Sequence, residues 1–344
     1  MSRRYSLKLL VALAAIFCAG LPAYGTLAID PTFDPSLSSA DVAAINAAIN
    51  NITSEISSPN NITVTIYFNS MSSGLGENYA SLYGYSYYDY YNAYSAVATS
   101  PAQLTALNSL GPAPVNEQSV NPATGTTGMA ITSAECRNLA IDTCVGYKDS
   151  SGTDGLIVGS GTYDGAVGLN TSIAVPPDQE NGNDYSIEAV AGHEIDEVLG
   201  VGGWGSTLGL VIQGSYAGDE DLFRYSAPGV RSYSTTYSDT PYSYFSIDGG
   251  DSVVTYFNQN NNGDYADWLS SDPNTANAIP YGFPVQVQDA FGTPGSNPSQ
   301  DWAELAAFNV IGYQVIPEPS TFMLTGLGLA LGIVLLSRKR AVSR

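Results

Sequence analysis

The chain has 344 residues, with 32 acidic against 11 basic side chains and a formal net charge of −21 at pH 7. Residues 26–316 carry four Lys or Arg and 31 Asp or Glu, a formal charge of −27. So few cations cannot neutralise a phosphate backbone, which excludes nucleic acid as a natural partner. The many carboxylates allow Ca²⁺ as a ligand, although solubility alone also explains the charge.

The N-terminus has the pattern of a secretory signal peptide at residues 1–25. Basic residues precede an apolar run at 9–21, and small residues follow around a cleavage point. The chain from 26 to 316 contains no Pro-rich or charge-rich linker, so we expect one domain there. Its two cysteines, Cys136 and Cys144, are close enough in sequence to form a local disulfide in an oxidising compartment.

The C-terminus, residues 317–344, carries a Pro-Glu-Pro triplet, an apolar segment at 322–336 and a basic cluster, in that order. This order resembles the PEP-CTERM sorting signal of Gram-negative bacteria. The resemblance implies an exosortase-type processing enzyme as a partner. It also implies an exported protein, anchored in the membrane through its C-terminal helix and then placed at the cell surface or outside the cell. An ordinary C-terminal anchor is the alternative.

Periodicity predicts the first half of the domain. Residues 39–57 place apolar side chains at helical spacing, and residues 62–68 alternate as a half-buried strand does. The Tyr-rich segment 79–92 predicts aromatic packing and a helix beginning near Tyr87, with a carbohydrate-binding aromatic surface as the alternative. Residues 99–110 predict a further helix, entered through a proline.

The second half contains the segment most indicative of a functional site, a helix that carries the chain's one histidine and several carboxylates. A helix is predicted over 185–199, capped by Asn183 or Asp184 and ended by Gly200. A short irregular strand at 165–168 precedes it. A capped amphipathic helix at 299–308 closes the domain.

Within the central helix, His193 and Glu197 are four residues apart and therefore share one face. Glu194 lies within the neighbouring apolar stripe, and Asp196 is expected to point toward water. The spacing is that of the H-E-x-x-H zinc motif with Glu197 in the second histidine position. Since Zn²⁺ accepts carboxylate oxygen as well as imidazole nitrogen, His193 and Glu197 are predicted metal ligands and Glu194 the catalytic general base. The alternative is a helix with a solvated acidic edge and a hydrogen-bonded core histidine.

A third metal ligand must come from another segment, because His193 is the chain's one histidine. The acidic run that follows the glycine-rich turn offers Asp221, with Asp219 and Glu220 as substitutes. We expect Asp221 to complete the zinc site. The alternative is an acidic loop in which Arg224 pairs with Asp221.

The order of several segments resembles a family of exported bacterial zinc metalloproteases whose helix reads HEI-x-E. The segments are HEIDEVLG at 193–200, DLFRYSAPGVRS at 221–232, DAFGTPG at 289–295 and LAAFNVIGY at 305–313. That family is similar to the metzincins, in which H-E-x-x-H-x-x-G-x-x-H supplies three histidines. Gly200 matches the motif's glycine, whereas Glu197 and Gly203 stand at the second and third histidine positions.

The resemblance implies an α+β, metzincin-like zinc-protease domain in which a small mixed sheet packs on the active-site helix. Two functions follow. One is a zinc-dependent metallopeptidase that hydrolyses peptide bonds of a peptide or protein substrate through metal-activated water. The other is a catalytically inactive surface or extracellular-matrix protein that retains the fold and a structural metal. Fold analogy alone does not choose between them.

Overall fold

The computed structural model describes residues 25–144, 163–179, 181–270 and 284–317. This part of the chain has a mixed α+β fold with six helices and several small sheets. The helices are α1 (Ser39–Glu55), α2 (Tyr87–Val97), α3 (Pro101–Ser109), α4 (Ser133–Asn138), α5 (Ile187–Leu199) and α6 (Trp302–Val310). The predicted α+β class is therefore confirmed.

Most of the strands are short, with two to five residues each; only β1 and β3 are longer. They are β1 (Leu27–Phe33), β2 (Ile56–Ser57), β3 (Ile62–Ser70), β4 (Gly76–Ala80), β5 (Leu82–Ser86), β6 (Gly128–Thr132), β7 (Gly165–Leu169), β8 (Ala174–Val175), β9 (Tyr185–Ser186), β10 (Tyr216–Ala217), β11 (Arg224–Ala227), β12 (Val230–Arg231), β13 (Tyr244–Phe245), β14 (Thr255–Tyr256) and β15 (Gln314–Val315).

The principal sheet has the strand order β1-β3-β7-β4. The first three strands run parallel, and β4 pairs antiparallel with β7 at the edge of the sheet. Helix α1 packs against β1 and α5, while α5 packs against β4 and β7. Because the sheet holds α5 beside an edge strand, the face of α5 next to β4 borders a cleft and not another layer of core.

Several local predictions are confirmed. Helix α1 and strand β3 lie where the periodicity at 39–57 and 62–68 placed them. Helix α2 begins at Tyr87, and its tyrosines at 87, 90, 91 and 94 are buried in the main core, as expected for aromatic packing. Cys136 and Cys144 form the predicted disulfide.

Residues Gly25–Val315 form one compact unit. The predicted signal peptide, apart from Gly25, and the predicted sorting signal, apart from Pro317, lie outside the described residues. The domain boundaries at 26 and 316 stay predictions.

The predicted localisation requires a correction. Across the described ranges, 25–144, 163–179, 181–270 and 284–317, every helix is too short or too polar to cross a membrane. This finding contradicts the prediction of a protein anchored in the membrane by its C-terminal helix. The apolar segment 322–336, on which that prediction depended, lies outside the described residues.

Candidate metal centre

Helix α5 begins two residues later than its sequence pattern predicts. Ser186 is the N-cap, and its hydroxyl accepts a hydrogen bond from the Ala189 amide at 3.4 Å. Tyr185 and Ser186 are extended because they pair with β8, so a cap at Asn183 or Asp184 is wrong. The helix ends at Gly200, as predicted, with a left-handed φ of 112° that favours glycine.

His193 is oriented by the segment that carries Val287. Its Nδ1 lies 3.0 Å from the Val287 carbonyl oxygen, which can only accept a hydrogen bond, so Nδ1 carries the proton. In the neutral ring Nε2 then has a free lone pair, the state in which histidine binds metals. Nε2 lies 3.2 Å from a carboxylate oxygen of Glu197 and 3.8 Å from one of Asp267.

Asp267 supplies the second carboxylate of this cluster. Its Oδ1 accepts hydrogen bonds from the Gly203 amide at 2.9 Å and from Gln288 Nε2 at 3.2 Å. Those two bonds turn Oδ2 toward His193. The side chain of Asp267 is 3 % exposed, so its position is fixed by the surrounding protein.

The predicted ligand Asp221 lies elsewhere. Its carboxylate accepts hydrogen bonds from the Ser206 hydroxyl at 2.6 Å and from the amides of Thr207 and Gly218, both at 3.0 Å. These donors use its oxygens to fix the glycine-rich turn. The substitutes Asp219 and Glu220 are also used locally, since Asp219 accepts from the Glu220 amide and Glu220 from the Gly202 amide.

The cluster of His193, Glu197 and Asp267 fits a metal ion. One ligand atom from each residue lies within 4.8 Å of the others. Glu197 Oε1 is buried, and His193 Nε2 lies 3.2 Å from it. With the proton on Nδ1, Nε2 cannot donate to it, so within the described residues this oxygen then has no hydrogen-bond donor and a cation would satisfy it. Imidazole nitrogen and carboxylate oxygen suit zinc and several other divalent metals. The group can therefore bind a metal, whose identity the donor set alone does not fix.

The electrostatics of the cluster favour the same interpretation. Burial raises the pKa of Glu194 and of Glu197 to about 8, and that of Asp267 to about 7. For His193, burial opposes the charged form, but Asp267 and Glu197 outweigh it and hold the pKa well above its ordinary value. Three buried carboxylates and the half-buried His193 thus share too little positive charge, a deficit that a bound cation would correct.

Glu194 faces the edge strand. Its Oε2 accepts a hydrogen bond from Asn78 Nδ2 at 3.2 Å, and the same amide group donates to Glu197. Asn78 is fixed in turn by Trp204, whose indole nitrogen donates to Asn78 Oδ1 at 2.5 Å. A β-carbon at Gly76 would lie 2.4 Å from Glu194 Oε1, so only glycine allows β4 to approach α5 this closely.

The acidic edge of α5 is buried, which contradicts the solvated alternative. Glu194 is 5 % exposed and Glu197 3 %. Asp196, expected to face water, is fully buried, and both of its oxygens accept hydrogen bonds from Gln300 Nε2 at 2.9 and 2.8 Å. The segment before α6 covers this side of the helix.

Glu304 forms hydrogen bonds with the two segments that carry Asp267 and Gln288 to the cluster. It is fully buried, and its Oε1 accepts hydrogen bonds from Trp268 Nε1 at 3.0 Å and from the Gln288 amide at 3.2 Å. Trp268 directly follows Asp267, so a single carboxylate on α6 fixes both segments. Sequence patterns gave no sign of Asn78, Asp267, Gln288 or Glu304, because each acts through contacts distant in the chain.

Gly203 stands at the position of the motif's third histidine and lies against the cluster. A β-carbon there would be 2.5 Å from Glu197 Cδ. We therefore expect Gly203→Ala to displace the Glu197 carboxylate and weaken metal binding, measured with zinc as the probe, by at least about tenfold, comparable with other changes that misplace ligands. Competition titration against a chromophoric chelator measures this. Gly214→Ala is the matched control, since a β-carbon at Gly214 meets no atom of the described residues within 4 Å; equal zinc affinity in both variants would contradict the expectation.

The cluster opens into a cleft of about 440 Å³ between β4 and the segment 285–298. Residues 74–78 line one side, and His193, Glu194 and Glu197 lie on the floor. A volume of this size accommodates several side chains of a substrate.

Comparison of the chain with protein-family models, with curated proteins and with solved structures found no match. The resemblance to metzincin-like metalloproteases therefore stays a prediction from the sequence.

Proposed function

We propose that this protein is a zinc-dependent peptidase with a metzincin-like site, in which Asp267 replaces the predicted ligand Asp221. One observation carries the proposal. His193, Glu197 and Asp267 converge at the floor of an open cleft, directly beside a further buried carboxylate, Glu194. A purely structural metal site is usually closed by protein ligands, whereas a catalytic site borders a space for substrate and water.

The position of Gly203 supports the metzincin-like interpretation. Its amide holds Asp267, and its α-carbon lies beside Glu197, so residue 203 is at the cluster although it has no side chain to offer. Asp267, from a distant segment, supplies the carboxylate there. Residue 203 therefore keeps the place of the motif's third histidine beside the metal ligands, while Asp267 takes over as the third ligand.

Each residue of the site has a distinct role. His193, Glu197 and Asp267 hold the metal, and Glu194 takes a proton from the attacking water and returns it to the leaving amine. When bound, zinc supplies Lewis acidity, weakened by two anionic ligands, that polarises a carbonyl and acidifies water. Burial raises the pKa of Glu194 in the metal-free protein, and a bound cation would lower it again, toward the form that accepts a proton.

The edge strand β4 supports a peptide as the substrate. It pairs with β7 on one side, and residues 74–78 line the cleft on the other. An extended peptide can add to such an edge through backbone hydrogen bonds, which would place a scissile bond beside Glu194.

Metal removal tests the proposal. We expect the full chain to hydrolyse an unstructured protein such as casein, to lose that activity after dialysis against a chelator, and to regain it with about one equivalent of zinc per chain. Release of new amino termini measures the rate, and magnesium added in place of zinc is the control.

Two results would contradict the peptidase. Hydrolysis that survives complete metal removal would place the chemistry elsewhere. Stoichiometric zinc binding without any hydrolysis would favour the non-catalytic protein with a structural metal.

A further inference from the structure

The cleft beside the metal cluster is acidic throughout. Besides the ligands and Glu194, its walls carry Glu77, Asp264 and Asp289, and no Lys or Arg is among the described residues that line it.

The arginines in the described part of the chain are engaged elsewhere. Arg137 pairs with Asp164 at 2.8 Å, Arg224 donates to the Tyr265 carbonyl, and Arg231 donates to the Leu222 carbonyl.

Asp289 differs from the other two wall residues because it is buried, with 5 % of its surface exposed. Its Oδ2 accepts a hydrogen bond from the Gln286 amide at 3.1 Å, whereas its Oδ1 is buried and has no hydrogen-bond partner within the described structure. The backbone of Asp289 is fixed by a bridge to Trp268. A rigid, half-satisfied carboxylate therefore lines the cleft.

The charge of Asp289 is only partly compensated in the protein alone. Burial raises its pKa to about 7, against the opposing effects of the Gln286 amide and of His193. A buried carboxylate in this condition is stabilised by a cation that replaces its lost hydration. Among the described residues, Asp289 is not one of the three groups that converge as metal ligands, which favours an organic cation over a metal ion at this carboxylate.

We propose that Asp289 binds the ammonium or guanidinium group of a Lys or Arg side chain of the peptide substrate. This inference rests on the proposed peptidase function and specifies its substrate class. The cleft is large enough for a long side chain, and its other acidic groups repel an acidic one. Glu77 and Asp264 lie along the same cleft and add to the attraction of a cation.

Peptide binding tests this without turnover. The full chain with Glu194→Gln is loaded with zinc and titrated with fluorescent peptides that are identical except for one central Lys, Arg, Met or Glu. We expect the Lys and Arg peptides to bind at least about tenfold more tightly than the Met peptide, as a desolvated charge pair allows. Adding Asp289→Asn should remove most of that preference and leave only the smaller contribution of Glu77 and Asp264. Asp251→Asn, the same change at an exposed aspartate outside the cleft, should preserve it.

Equal binding of the Lys and Met peptides would overturn the inference, and so would a preference that Asp289→Asn leaves undiminished. Hydrolysis of the same peptides by the wild-type chain separates the two proposals. A charge preference in binding without hydrolysis would reject the peptidase and retain the cation site. Hydrolysis with no such preference would retain the peptidase and reject the cation site.

Discussion

Replacing Glu194 by Gln is expected to lower the rate of peptide hydrolysis by about 10²–10⁴-fold, the range that general acid–base catalysis contributes. Glutamine has nearly the same shape and can still accept the hydrogen bond from Asn78 through its carbonyl oxygen. It cannot take a proton from water. The loss should appear in kcat, because the change removes a proton-transfer step and leaves the walls of the cleft unchanged.

Zinc binding separates this effect from damage to the metal centre. Glu194 is not among the three converging ligands, so Glu194→Gln should keep the zinc affinity of the wild type within a few-fold. Glu188→Gln is the matched control. It lies in the first turn of the same helix, where it accepts a hydrogen bond from Asn51 at 2.8 Å, and it does not line the cleft. If Glu194→Gln hydrolyses peptides at the wild-type rate, Glu194 is not the general base.

The helix that carries the site could be predicted because its signals are local. The apolar period, the terminal Gly200 and the spacing of His193 and Glu197 all lie within fifteen residues or so of one another, the range over which helix rules act. The same holds for β3, whose alternation is a property of one strand. Even here the cap was misplaced, since the pairing of Ser186 with β8 depends on a separate segment.

The rest of the site could not be predicted because it depends on contacts between distant segments. Asp267 reaches His193 only because Glu304 fixes Trp268 and the Gln288 amide, and no periodicity connects those positions. Asp221 looked equally suitable by residue type. Its oxygens are used by the turn that it stabilises, a role that only the folded chain reveals.

The same limit explains the burial of Asp196. On a helical wheel it falls away from the apolar stripe, which favours solvent exposure. The segment before α6 covers that side and places Gln300 against the carboxylate. A helical wheel is drawn from the sequence of one helix alone, so it cannot show that a segment from elsewhere in the chain will pack against one of its faces.

Asp267→Asn is expected to weaken zinc binding by about 100-fold or more, since even changes to groups that only support a ligand cost 10–100-fold. Asparagine can still accept the hydrogen bonds from Gly203 and Gln288, so the fold should be retained while the negative charge is lost. Removal of one carboxylate from a buried, anion-rich cluster should leave the stability of the metal-free protein unchanged or raised.

Asp221→Asn is the same chemical change, but here we expect zinc binding to be retained and stability to be lost. It leaves the cluster intact, so zinc affinity should stay within a few-fold of the wild type. The substitution also replaces one carboxylate oxygen of residue 221 by an NH₂ group, which cannot accept hydrogen bonds from the buried donors around it. The free energy of unfolding should therefore fall by about 1–3 kcal/mol. Chemical denaturation of the metal-free proteins measures that loss.

Zinc titration of the wild type, Asp267→Asn and Asp221→Asn, each in competition with a chromophoric chelator, tests the metal centre most directly. The structure predicts about one tight site per wild-type chain, a site of similar affinity in Asp221→Asn and a severely weakened one in Asp267→Asn. Loss of zinc in Asp221→Asn with tight binding retained in Asp267→Asn would contradict the assignment of His193, Glu197 and Asp267 as the ligands.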